Sequence, residues 1–181
     1  FTRAYTTNPV CSPARISLMT GRFPGYFKDN QQKEVRENRG AMKIPQVSQE
    51  VLNTTLASYL KKAKYELYFG GKEHLPKSLT PSILGFTDFS DDERNELATE
   101  VTKVIKDNHD KPYFMVISLI NPHDICYMAL REKATSEQDA GILKRATVEL
   151  TMLDSALKIP EGVSSKDFFK SYCPPLPANY E

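Results

Sequence analysis

Apolar and polar residues recur at two different spacings in the first half of the chain. Apolar side chains return every three or four positions across 48–62, which predicts an amphipathic helix. The short apolar run 65–69 then predicts a strand that a glycine pair ends. The segments 25–45 and 75–90 are polar or contain proline and glycine, so we predict loops there. A helix that leads into a strand is the first sign of an α/β arrangement.

The second half of the chain repeats this order. Ser90 and Glu93 fit a capping box ahead of an apolar helical face, so a second helix is predicted to begin there. The run 113–120 is almost continuously apolar, which predicts a strand buried on both faces. Further helices are predicted from apolar spacing over 143–157 and from the aromatic residues of 168–172. This alternation predicts an α/β fold with helical crossovers, whose ligands bind beyond the carboxyl ends of the strands.

Composition narrows the function without identifying it. The 181 residues are enough for one domain, and the net charge of +1 gives no general attraction to nucleic acid or to an anionic membrane. No apolar run is long enough for a transmembrane helix. Three cysteines without a close pair disfavour a disulfide scaffold and a zinc knuckle. Since the chain begins at Phe1 with neither a methionine nor a signal peptide, we expect an internal piece of a longer protein.

The segment Cys-Ser-Pro-Ala-Arg at 11–15 contains the first candidate reactive residue, Cys11. Ser12 can cap a helix, and Pro13 fits its first turn, where a missing N–H is not needed. Cys11 would then lie just outside the helix N-terminus, a place that favours anions and lowers the pKa of a thiol. Arg15 lies four positions further, so it can fold back beside Cys11. The alternative is a half-buried structural cysteine.

Two later segments place basic residues just after the predicted strands. Lys72 and His74 follow the first strand, and they would point to the same face if the extended conformation persisted. Together they would present a cation and a hydrogen-bond donor to one anion. His123 follows the second strand in an Asn-Pro-His-Asp segment. We therefore expect both histidines at strand ends; the alternative is that each histidine has a structural role.

These motifs, in this order, resemble the sulfatase family. The family pattern is Cys-x-Pro-x-Arg with a Thr-Gly-Arg tail, which here occupies 11–22, and Gly-Lys-x-His, which here is 71–74. The resemblance extends to His123 and, more weakly, to the proline-rich stretch 173–177, which is similar to bacterial members. It implies an alkaline-phosphatase-like α/β/α sandwich with a mixed, mostly parallel sheet. It also implies that 1–181 is the central part of an N-terminal catalytic domain, incomplete at both ends.

The resemblance implies a reaction and a role for each site residue. Cys11 would be oxidised after synthesis to formylglycine, whose hydrate attacks the sulfur of a sulfate ester and then collapses to release sulfate. Arg15 would hold the hydrated aldehyde and offset its charge. Lys72 and His74 would bind the sulfate oxygens. Either His74 or His123 would protonate the leaving alcohol, a role that suits histidine near neutral pH.

A divalent cation, Ca²⁺ or Mg²⁺, is the cofactor that the resemblance implies. Cys11, as formylglycine, would be one of its ligands, whereas the family's other oxygen ligands have no match in this sequence. The adjacent aspartates Asp91 and Asp92 have a helix-capping context, and we interpret them as a cap. We therefore expect this chain alone to lack a complete metal site and to have little or no activity.

Substrate, partner and location are implied by the resemblance alone. The substrate would be a sulfated small molecule or glycan, with a carbohydrate sulfate favoured, and a formylglycine-generating enzyme would be a partner. The location would be periplasmic or secreted. Three other functions stay open: a phosphonate or phosphodiester hydrolase of the same superfamily, a non-catalytic binder of sulfated glycans, and a thiol enzyme that pairs Cys11 with His123. The last of these leaves Arg15 and Lys72 without a role.

Three residues depart from what the motifs favour. Ala14 stands where the family commonly has serine, although the modification depends mainly on the cysteine, proline and arginine. Glu73 replaces an aromatic residue between the lysine and the histidine and is predicted to face solvent. Lys64 follows the first predicted helix at a position where glycine is usual, which disfavours a regular C-terminal cap there.

Overall fold

Three parallel strands organise the first part of the chain. In a computed structural model, which describes residues 3–107 and 110–172, the chain divides into two units, Phe1–Ile120 and Asn121–Glu181. The proline-rich stretch 173–177 lies outside the described residues. All strands of the described part belong to the first unit: β1 (Glu66–Gly71), β2 (Thr87–Ser90) and β3 (Tyr113–Ser118).

Helices pack against this sheet in the first unit and make up most of the second. In the first unit they are α1 (Cys11–Thr20), α2 (Asn38–Ala41), α3 (Gln49–Leu52), α4 (Leu56–Lys62), α5 (Pro81–Leu84) and α6 (Leu97–Lys106). In the second they are α7 (Ile125–Lys133), α8 (Glu137–Arg145), α9 (Thr147–Ala156) and α10 (Ser165–Tyr172). Short 3₁₀ turns lie at Pro24–Tyr26, Lys77–Leu79 and Asn121–Asp124. The predicted α/β class is confirmed.

The central strand β1 pairs in parallel with both neighbours, in the order β2-β1-β3. Leu67 lies opposite Phe114, and Phe69 lies opposite Val116. Because side chains alternate along a strand, these four share one face of the sheet. That face packs on a buried cluster contributed by α1 to α5 and the turns between them. The members outside the sheet include Ile16, Met19, Val51, Ala57, Leu79, Leu84 and Phe86.

The helix predicted over 48–62 is two shorter helices instead. A turn at 53–55 separates α3 from α4, and Thr55 is fully buried there. The Thr55 hydroxyl accepts a hydrogen bond from the Ser58 N–H and donates one to the Leu52 carbonyl, both at 3.1 Å. A threonine that bonds to nearby backbone in this way starts a new helix at the expense of the old one. The apolar spacing therefore continues although the helix does not.

The second predicted helix begins later than its capping box suggests. Ser90 ends β2, and α6 begins at Leu97, so the predicted pairing of Ser90 with Glu93 as a capping box is wrong. The carboxylate of Asp92 caps the turn between β2 and α6, which confirms the interpretation of Asp92 as a cap. Its Oδ1 accepts hydrogen bonds at 2.9, 2.7 and 3.1 Å from the N–H groups of Arg94, Asn95 and Glu96.

Strand β3 is packed on one face, not on both as predicted over 113–120. Phe114 and Val116 lie against the core, whereas the side chain of Ile117, on the opposite face, is 47% exposed. β3 is at the edge of the described sheet, where less of the chain is available to cover it. Two predicted loops also need correction, because 25–45 contains α2 and 75–90 contains α5 and β2. The four residues of β2 are too few and too polar to form a recognisable pattern.

The predicted helices of the second unit are partly right. The apolar spacing over 143–157 spans two helices, α8 and α9, which meet at Ala146. The helix predicted over 168–172 is confirmed within α10, where Phe168 is buried. α7 carried no regular apolar pattern and was not predicted.

The end of α4 is a complete C-terminal cap, contrary to the expectation from Lys64. Lys64 adopts the left-handed conformation with φ +67°. The N–H of Tyr65 donates to the Leu60 carbonyl, and the N–H of Lys64 donates to the Lys61 carbonyl, both at 3.0 Å. This pair of hydrogen bonds is the Schellman motif, which normally carries glycine at the left-handed position. The cap therefore forms with backbone strain at Lys64.

Candidate active site

Helix α1 begins at Cys11 itself, which corrects the predicted helix start. The N-cap is Val10 in extended conformation, and its carbonyl accepts the first helical hydrogen bond from the Ala14 N–H at 3.1 Å. Pro13 falls in the first turn, as predicted, because an N–H there would have no helical partner. Cys11 is a half-exposed free thiol at the first helical position.

Ser12 does not cap α1; another part of the chain caps it. The N–H of Ser12 donates to Oδ1 of Asn38 in α2 at 2.8 Å, and the Ser12 hydroxyl lies 3.4 Å from the sulfur of Met42. Asn38 thus supplies the acceptor that a helix N-terminus needs. The sequence offers no signal for this pairing, since 26 positions separate the two residues.

The Thr-Gly-Arg tail ends α1 and holds its last turn in place. The buried Thr20 hydroxyl donates to the Ile16 carbonyl at 2.6 Å. Gly21 adopts φ +69°, the left-handed cap that glycine forms without steric cost, and its N–H donates to the carbonyl four residues back at 2.9 Å. Arg22 donates from Nη2 to the Thr54 hydroxyl at 3.3 Å. In this fold the tail has a structural role: it fixes the helix that carries Cys11.

Arg15 connects α1 to the ends of two strands. It lies one helical turn after Cys11, which places the two Cβ atoms about 5–6 Å apart. Its Nη1 donates to the main-chain carbonyl of Lys72 at 2.9 Å and to the hydroxyl of Ser118 at 2.8 Å. Lys72 directly follows β1, and Ser118 is the last residue of β3. Arg15 therefore lies at the carboxyl edge of the sheet, where ligands of α/β proteins bind.

Strand β1 ends in a tight turn that sets the position of the next residues. Gly71 has φ +88°, and a Cβ built there would collide with the carbonyl oxygen of Ser118. The N–H of Lys72 donates to that same oxygen at 2.7 Å. His74 also has a positive φ, +44°, so the chain does not continue in extended conformation. The expectation that Lys72 and His74 share a face through strand alternation is therefore wrong; this turn decides where they lie.

The residues of this turn are half-buried. Lys72, Glu73 and His74 all have intermediate exposure, and Nδ1 of His74 is buried. The prediction that Glu73 faces solvent is therefore wrong, because its side chain is half-buried. Burial raises the pKa of the Glu73 carboxyl, and the negative charge of Asp88 in β2 raises it further. The turn thus combines a lysine, a histidine and a carboxyl group with an increased affinity for its proton.

A cavity of about 610 Å³ opens beside Cys11. Its walls come from the segment before α1, from one side of α1 and from the end of β3. Cys11 and Arg15 are both part of the wall, and the volume is in the range of small-molecule sites. The lining residues are Tyr5, Thr6, Thr7, Cys11, Ala14, Arg15, Ser17, Leu18, Met19, Val116, Ile117 and Ser118.

His123 belongs to the second unit, in the 3₁₀ turn that precedes α7. Its ring packs edge-to-face on Tyr127 with centroids 5.5 Å apart, and its Nδ1 lies 3.9 Å from the carboxylate of Asp124. In the first unit, Cys11 and Arg15 share the wall of the cavity, whereas residues 72–74 are not among those that line it. Arg15 contacts that turn through the main-chain carbonyl of Lys72, and the candidate site is the set of residues joined in this way. Ser118 joins it as a residue that the sequence interpretation missed, although a polar residue ending an apolar strand is a usable signal.

A metal centre is not formed by the described residues. Within 3–107 and 110–172, no group of three or more histidine, cysteine, aspartate or glutamate side chains is placed to hold a metal ion. Of the ligands that the resemblance implied, this part of the chain supplies Cys11. The donor set therefore does not fit a divalent cation.

Across the described residues 3–107 and 110–172, no helix combines the length and the apolar character that crossing a membrane requires.

The fold and the site define an α/β protein whose helix-borne cysteine and arginine adjoin the carboxyl edge of a parallel sheet. The family model described as Sulfatase matches residues 1–142, and the chain belongs to the sulfatase family. Membership places it among hydrolases that act on sulfate esters. A search of curated proteins finds no match.

Proposed function

We propose that Cys11, as formylglycine, is the nucleophile of sulfate ester hydrolysis at this site. The observation that carries the proposal is the link that Arg15 makes between the Cys11 helix and the turn at Lys72. The hydrate of formylglycine supplies an oxygen that displaces the alcohol from sulfur, and its second hydroxyl then expels sulfate and restores the aldehyde. The half-exposed thiol on the cavity wall is accessible both to a modifying enzyme and to a substrate.

Arg15 supports this chemistry through its charge and its fixed position. A guanidinium one turn from Cys11 stabilises negative charge that develops on the attacking oxygen. The guanidinium is a planar cation whose charge is spread over three nitrogens. The two hydrogen bonds from Nη1 hold the group before substrate arrives, which is the condition for electrostatic stabilisation without reorganisation.

The turn at 72–74 is the proposed site for the sulfate group. The Lys72 ammonium offers three donors to sulfate oxygens, and His74 adds a further donor from its ring. The leaving alcohol takes a proton from His74 or, as the resemblance alone implies, from His123, a role that suits histidine. We assign no step to a divalent cation, because the described residues do not form a site for one.

The proposed substrate is a sulfated carbohydrate, acted on in the periplasm or outside the cell. The cavity wall supports this proposal because it offers groups that a sugar ring can contact. Tyr5 provides an exposed aromatic side chain, and Thr6 and Thr7 provide hydroxyls for hydrogen bonds. A formylglycine-generating enzyme is the proposed partner, and it would act on the Cys-x-Pro-x-Arg segment.

Mass spectrometry of the full-length protein tests the nucleophile. The peptide that contains Cys11 is expected to lose one sulfur and two hydrogens and to gain one oxygen when the protein is made with a formylglycine-generating enzyme. The peptide with Cys126 is the internal control, because no proline or arginine follows it at the matching positions. An unmodified Cys11 in a protein that turns over sulfate esters would contradict the proposal.

Parallel assays test the substrate class. Turnover of a sulfated sugar and of an aryl sulfate, with no turnover of an aryl phosphodiester, is the expected result, and Cys11→Ala should abolish it. Preferred turnover of the phosphodiester would replace the proposal by a phosphodiesterase. Binding of sulfated glycans with no turnover by the modified protein would indicate a non-catalytic binder.

A further inference from the structure

Ser118 contacts both halves of the proposed site. Its hydroxyl accepts a hydrogen bond from Arg15 Nη1 at 2.8 Å, and its main-chain carbonyl accepts one from the Lys72 N–H at 2.7 Å. The residue is 9% exposed and stands at the last position of β3. One buried residue thus connects the arginine of α1 with the turn that follows β1.

One nitrogen of the Arg15 guanidinium makes both of the hydrogen bonds described above. In the described part of the chain both bonds come from Nη1, which has two hydrogens to donate. The donors on Nη2 and Nε are therefore left for a ligand, and they form one edge of the planar fork. An oxyanion is bound by such an edge through two parallel hydrogen bonds.

The acceptors of Arg15 differ in how well they hold it. The Lys72 carbonyl belongs to a turn with positive φ at Gly71 and His74, whereas the Ser118 hydroxyl stands on a strand paired along its length with β1. A long arginine side chain has many rotamers, and a single hydrogen bond leaves much of that freedom. The second acceptor selects one orientation of the guanidinium plane.

We infer that Ser118 is a positioning residue for Arg15, which it holds with the Nη2–Nε edge available to the reacting oxyanion. This inference rests on the proposed function, because the reaction gives Arg15 its role. Ser118 acts through Arg15 and takes no part in bond making. Loss of its hydroxyl leaves the charge of Arg15 in place and removes its fixed direction.

Steady-state kinetics of the full-length, modified protein test the inference. Ser118→Ala is expected to lower kcat/KM about tenfold or more, the effect of losing a hydrogen bond to a charged group. Ser118→Thr keeps an acceptor oxygen and is expected to retain most of the activity. The matched control is Ser78→Ala, since the Ser78 hydroxyl also makes one 2.8 Å hydrogen bond, to the Ile44 carbonyl. That control should keep the wild-type value.

A double-mutant cycle separates positioning from a general structural effect. In an Arg15→Lys background the Nη1 bond is already absent, so adding Ser118→Ala should cause little further loss. Additive losses would overturn the inference, as would wild-type activity in Ser118→Ala or equal losses in folded Ala and Thr variants. If Ser118→Ala does not fold, Ser118→Cys replaces it, because the thiol has a similar shape and is a weak acceptor.

Failure of the proposed function and failure of the role of Ser118 give different results. If the modified wild-type protein does not turn over sulfate esters, the proposed function fails before Ser118 is tested. If the wild-type protein is active and Arg15→Lys is impaired while Ser118→Ala is not, only the inference about Ser118 fails.

Discussion

The guanidinium of Arg15 donates a hydrogen bond to the main-chain carbonyl of Lys72, 57 positions further along the chain, at 2.9 Å. The bond joins the helix that begins at Cys11 to the turn that carries Lys72 and His74. Two segments that a sequence motif treats separately therefore form one structural unit. A substitution in either segment should therefore change the position of side chains in the other.

Arg15→Lys should lower kcat/KM of the full-length protein about a hundredfold. The lysine keeps the charge but lacks the planar fork, so both Nη1 bonds and the free edge are lost. Assays on an aryl sulfate measure the effect. The control is Arg36→Lys, since Arg36 is exposed and pairs with Glu34 at the surface. Wild-type kinetics in Arg15→Lys would remove Arg15 from the proposed mechanism.

Gly71→Ala should destabilise the protein and disturb the turn at 72–74. A positive φ at a non-glycine residue costs roughly 1–2 kcal/mol, and the collision of the new Cβ with the Ser118 carbonyl adds to this. Denaturant unfolding gives the change in the free energy of unfolding. Gly40→Ala is the matched control: its Cβ meets nothing within 4 Å, and alanine favours the helix α2 by up to about 1 kcal/mol. Equal effects of the two substitutions would disprove the steric argument.

Lys64→Gly should stabilise the protein by about 1 kcal/mol. Lys64 is exposed and holds the left-handed position of a Schellman motif, which glycine adopts without strain. Thermal unfolding should show the gain as a higher Tm. Lys62→Gly, two positions earlier and inside α4, should have the opposite sign because glycine weakens helices. A loss of stability in Lys64→Gly would mean that the lysine side chain makes a contribution of its own.

Glu73→Gln should increase stability at neutral pH. Burial and the charge of Asp88 raise the pKa of Glu73 in the folded protein above 4.5. A raised pKa means that the contribution of Glu73 to stability is present below 4.5 and is lost as the pH rises through the folded-state value. The difference between variant and wild type should therefore grow from acid to neutral pH in denaturant titrations. Glu37→Gln, at an exposed glutamate, is the control and should show no such trend.

Prediction from the sequence succeeded where one short segment is sufficient. The first strand followed from a short apolar run, the α10 helix from its aromatic residues, and the α/β class from the alternation of helix and strand patterns along the chain. It failed at boundaries such as Thr55 and Asp92, where a side chain bonds to nearby backbone and redirects the chain while the apolar spacing continues.

The candidate site divides in the same way. The separation of Cys11 and Arg15 by one helical turn was evident from spacing, because helix geometry repeats every 3.6 residues. The positions of Lys72 and His74 could not be deduced from spacing, because a left-handed turn at Gly71 replaced the expected extended segment. The shape of that turn depends on the Ser118 carbonyl, which accepts the Lys72 N–H.

By itself, the sequence determined the family of this protein and suggested its site residues: a cysteine, an arginine, a lysine and two histidines in the order and spacing of a sulfatase. Tertiary structure alone decided how the cysteine's helix and the arginine are held. Asn38 caps the cysteine's helix from 26 positions away, and Ser118 holds Arg15 from 103 positions away. Local geometry repeats along any helix or strand and can be deduced from spacing. Partners so distant are chosen by the packing of the whole sheet, which no single segment encodes.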